Sequence, residues 1–170
     1  EIQKNLLFLQ AYKDNGDITE EDIVEAIPKT LQDNIFDLTQ LILGKKIDQA
    51  RDLVKDLTLQ GEDEIKLIAI MLGQFRLYTQ VKILQESGQT ESQMVSSLGH
   101  YLGRNPNPYQ IKFALRDTRA LSLNFLQDSI RYLIHVDYQI KTGVYEKGYL
   151  FEKALLQIAS QSNWANNLKK

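Results

Sequence analysis

The chain has 170 residues and no cysteine, and its 20 lysines and arginines stand against 22 aspartates and glutamates for a net charge of −2. A chain this long suits one ordinary domain, or one domain with a fragment of another, and buries roughly two-thirds of its unfolded surface without needing a disulfide or metal. The cysteine count excludes disulfides, thiolate–zinc sites and cysteine nucleophiles, and the charge balance lacks the basic excess of a dedicated nucleic-acid binder.

The first residues, EIQKNLLFLQAYKDNGD, lack the basic-then-apolar layout of a secretory signal. No uninterrupted apolar run reaches the roughly 18 residues of a membrane span. The reading is a soluble, cytoplasmic chain with no membrane partner. It opens inside a helical pattern, which suggests a segment of something longer.

Apolar spacing is helical nearly throughout. Ile2, Leu6, Leu7, Leu9 and Ala11 predict a first helix, stopped by Asp14-Asn15-Gly16. Thr19 before Glu20-Glu21-Asp22 predicts a short second helix that ends at Pro28. Residues 28–34, PKTLQDN, read as a polar connector with Asp33 as a capping candidate. A helix from Ile35 ends at Gly44, taken as a left-handed cap, and another from Ile47 ends at Gly61.

The next helix runs from about Glu62 to Gly88 and is apolar over so much of its circumference that it should be central. Gly73 inside it costs about 1 kcal/mol relative to alanine, so a close backbone neighbour is expected there. Thr90 caps a short helix, a connector of seven or eight residues follows, and Pro108 opens the next helix at a favoured first position. Ser122 caps a long helix ended by Gly143, and Tyr149 to Ile158 form the last. The fold class is all-α: about seven helices in a bundle, preceded by a small helical fragment, with residues 161–170 a polar tail.

Chemical motifs are few. The phosphate-cradling G-x-x-x-x-G-K-[ST] and the dinucleotide G-x-G-x-x-G patterns are absent. KDNGDITEEDI has the look of a calcium loop, but placing Gly16 at the loop glycine puts Ala11 and Lys13 where carboxylates are required. His100 and His135 are far apart and bring no metal-ligand set, so no metal, cofactor or catalytic residue is assigned. Asp137 and Lys141 stand four apart with the acid first, the favourable order for a helical ion pair. Residues 90–119 give helix, connector and basic helix, with Lys112, Arg116 and Arg119 on the second. That arrangement supports an alternative reading as a helical DNA-binding regulator, although the connector exceeds that of a helix-turn-helix.

Several segments in order resemble the C-terminal part of the delta subunit of the bacterial DNA polymerase III clamp loader. They are Ile35-Phe36-Asp37-Leu38, Ala50 to Leu57, EIKLIAIMLGQFRLYTQVKILQESG, Asn107-Pro108-Tyr109 with Lys112, and Ser122 with Leu133, Asp137, Lys141 and Gly143. The resemblance covers about residues 1–160, and GHYLGRNPNPY is longer than the family's spacing. It implies a non-catalytic segment of a polymerase holoenzyme: residues 1–29 as the end of a helical lid, and 30–160 as a collar domain used for oligomerisation. The implied partners are other loader subunits, of delta-prime and tau/gamma type, through the collar. The sliding clamp would be met through an N-terminal domain, and primer-template DNA in the full complex.

On that footing Gln74, Arg76, Gln80 and Lys82 meet neighbouring helices or another collar, with Arg76 expected to pair with Asp137. Tyr109 and Tyr145 are candidates for stacking on unpaired bases, and Lys112, Arg116 and Lys147 for phosphates.

Overall fold

The computed structural model describes residues 7, 9–11, 17, 19, 29–102 and 108–163; the side chains of 101, 102, 108 and 109 lie outside that description. The chain divides into two compact units, residues 1–34 and 35–170. Residues 7 and 9–11 are helical, whereas the short helix expected after Thr19 and the calcium-like loop fall largely outside the described residues.

Seven helices with defined bounds follow among the described residues, and no strand occurs there: α1 Leu31–Leu43, α2 Ile47–Leu59, α3 Glu64–Glu86, α4 Glu91–Leu102, α5 Pro108–Thr118, α6 Leu123–Lys141 and α7 Lys147–Gln161. This is the all-α bundle that the periodicity predicts.

Most helix starts carry a side-chain cap, because the first backbone N–H groups have no partner within the helix. Ser122 accepts from the backbone N–H of Phe125 for α6 (3.2 Å), and Asp63 accepts from Ile65 for α3 (2.8 Å). Thr90 and Gln93 form a reciprocal capping box at α4. Thr30 and Asp33 do the same for α1. That box corrects one boundary: α1 begins at Leu31, so residues 31–34 are helix rather than connector.

Three helix ends close as expected, with Gly61, Gly88 and Gly143 at positive φ. At α1 the left-handed residue is Lys45 (φ 58°), not Gly44. Lys45 N–H bonds to Ile42 O and Lys46 N–H to Leu41 O, which fixes the turn one residue past the glycine. α4 continues to Leu102, so residues 103–107 separate it from α5, a shorter connector than the seven or eight residues expected.

α3 is the hub, packing against α4, α5, α6 and α7, while α6 and α2 also pack on α7. Leu67, Ile68, Met71, Phe75, Tyr78 and Val81 are all but inaccessible and face these neighbours. Burying one such side chain stabilises by about 1.5–3 kcal/mol. By length and mean composition α3 could cross a membrane; here it is the core helix of a bundle. It is not covered all round. Lys66, Ala69, Gly73 and Arg76 form an exposed strip. A Cβ built on Gly73 would meet nothing within 4 Å, so the close backbone approach expected there does not occur within the chain.

Candidate functional site

Polar residues on α1, α3 and α5 converge on one buried carboxylate. Ile111, Ala114, Asp117 and Thr118 share the buried face of α5, and Asp117 has no solvent exposure. Its Oδ2 accepts from the Tyr78 hydroxyl of α3 (2.7 Å) and from the Gln40 amide of α1. Its Oδ1 accepts from Arg116 Nε (3.0 Å). Gln74 Nε2 donates to the Tyr78 oxygen (3.1 Å), and Thr39 Oγ1 lies 3.0 Å from Gln74 Oε1. Burial first, then the charge and hydrogen bond of Asp117, push the Tyr78 phenol well above the ordinary tyrosine value. Tyr78 is therefore a neutral donor that fixes α3 against α5.

A second polar cluster joins the starts of α3 and α7. Lys147 binds Asp63, and its Nζ lies 3.2 Å from Glu64 Oε2. The Asp63 hydrogen bond, more than any other contact, raises the Lys147 ammonium above the usual lysine range. In return Lys147, followed by the Ile65 backbone N–H, lowers the Asp63 carboxyl. Glu146 caps α7 by accepting from Gly148 and Tyr149, which lower its own carboxyl.

The polar residues of the central helix thus take different positions. Gln74 is part of the buried network, and Lys82 donates to Thr118 O at the end of α5 (3.2 Å). Gln80 is half-buried without a hydrogen bond to a described residue. Arg76 is exposed and forms no ion pair among the described residues, so the expected pairing with Asp137 is not made. Asp137 binds Lys141 instead at 2.7 Å, the i,i+4 pair that their spacing indicates.

The base- and phosphate-contact candidates do not converge. Lys112 is exposed on α5, where Arg116 lies 5.2 Å over the Phe113 ring. Tyr145 is exposed beside Tyr149, with ring centroids 6.4 Å apart. Lys147 has its charge engaged by Asp63 and Glu64. The two groups connect to α3 at Tyr78 and at Glu64, about 21 Å apart along the helix at 1.5 Å per residue. The Tyr109 side chain lies outside the described residues. His100 and His135 are exposed, and no group of three potential metal ligands occurs among the described residues.

Sequence reasoning singled out Gln74 but missed Asp117, Tyr78, Gln40 and Thr39 as its network. One signal was available: Asp117 sits three residues after Ala114 and six after Ile111, on the apolar stripe of a helix that otherwise carries only basic charge.

Residues 32–158 match the family model described as DNA polymerase III delta subunit, C-terminal domain. The chain belongs to that family. It is similar to DNA polymerase III subunit delta of Bacillus subtilis (strain 168), with 33% identity over 162 residues. That alignment takes in 95% of this chain and 44% of the relative. Among solved structures it is similar to the Bacillus subtilis DNA clamp loader delta protein, with a TM-score of 0.79 and 32% identity, covering 94% of this chain and 44% of that one. This delta-family chain therefore spans under half the length of these relatives, over a segment that includes the whole bundle.

Proposed function

We propose that this chain is the assembly region of a DNA-replication clamp loader subunit, acting by association rather than catalysis. The likeness of nearly the whole chain to a clamp loader delta protein carries the reading, since it extends through both sequence and fold. In this reading residues 1–29 end a helical lid and 30–160 form a collar. The collar holds delta-prime and tau/gamma type subunits, while the clamp and primer-template DNA are engaged by the assembled loader, in the cytoplasm. The rival regulator reading depends on residues 90–119 acting alone. The family match extends across 32–158, with the 90–119 segment inside it, and favours the loader.

Light scattering on a sizing column tests the proposal, with the chain alone and mixed with the other loader subunits. A defined mixed oligomer is expected. A chain that stays separate from every subunit, even when carried in its full-length protein, would overturn the collar assignment. DNA affinity that is sequence-selective and falls steeply with salt, with no such oligomer, would restore the regulator.

A further inference from the structure

We draw no further inference here: the strongest candidate, the outer face of α5 where buried Asp117 holds Arg116 over the part-exposed Phe113 ring, belongs to the polar network already described, and nothing in the structure shows what covers it.

Discussion

Two polar clusters tie α3 to its neighbours, one toward each end, and they use similar groups in opposite surroundings. Around Asp117 a carboxylate with no exposure is held by a phenol, an amide and a guanidinium. Around Lys147 an ammonium meets Asp63 and Glu64 with about half of its side chain and of the Asp63 side chain in solvent. Water can replace the partners of the second cluster but does not reach Asp117 and the Tyr78 hydroxyl in the first, so removing one of these buried members should cost far more.

Asp117→Ala is the largest break of that contrast. It leaves the buried Tyr78 hydroxyl without its acceptor, at a cost of about 1–3 kcal/mol, and strands the half-buried Gln40 amide at a smaller one. A loss of about 2–4 kcal/mol in urea unfolding is expected, with Arg116 adding little because it can turn to water. A loss below about 1 kcal/mol would mean that the site repacks or admits water.

Tyr78→Phe removes one donor and keeps the ring, so a smaller loss of about 1.5–3 kcal/mol is expected for a hydrogen bond to a charged acceptor. It also has a pH signature. The folded chain keeps the Tyr78 proton where the unfolded chain releases it, because burial and Asp117 raise the folded value. This stabilisation is complete below the unfolded tyrosine pKa of about 10 and is lost as pH rises toward the raised folded value. Above pH ~10 the wild type should therefore lose up to ~1.4 kcal/mol per pH unit more than Tyr78→Phe. Denaturant titrations of both proteins across the alkaline range measure the difference.

How far each region could be read beforehand follows from the range of its signals. Caps and ends depend on a few consecutive residues, so Thr90, Ser122, Gly61, Gly88 and Gly143 were legible. The departures at that range were small: Lys45 rather than Gly44 takes the left-handed position, and the Thr30–Asp33 box starts α1 early. The Asp117 network joins residues 77 and 39 positions apart, through Gln40 and Tyr78. The apolar spacing of Ile111 and Ala114 would put Asp117 on a buried stripe, a signal the sequence reading passed over, but it does not say which donors the packing brings there. Arg76 shows the converse: its place in an apolar helix suggested a buried carboxylate partner, whereas it lies on the one strip of α3 that the neighbours leave open.

Gly73 lies on that strip and makes the next test. Its Cβ position is open and its φ is not left-handed, so Gly73→Ala should stabilise the isolated chain by about 0.8–1 kcal/mol through helix propensity alone. Thermal melts would show it. If the same substitution weakens association with other loader subunits, the strip is a contact face in the assembly and the stability gain separates that effect from misfolding.

The smallest effect belongs to Lys147→Met. Asp63 keeps its second role without the lysine, since its other oxygen still accepts from the Ile65 backbone N–H. The α3 cap therefore survives and only the inter-helix charge contact is lost. A slight fall in melting temperature is expected at low salt, vanishing near 1 M where the Debye length is ~3 Å. Acid should act in the same direction. Lys147 and then Ile65 lower the Asp63 carboxyl, so its contribution is present above the ordinary aspartate value of about 3.9 and is lost as pH falls through the lowered one. Lys147→Met should then converge on the wild type at low pH as well as at high salt. A gap that persisted in both conditions would show that the Lys147 stem holds α7 by packing rather than by charge.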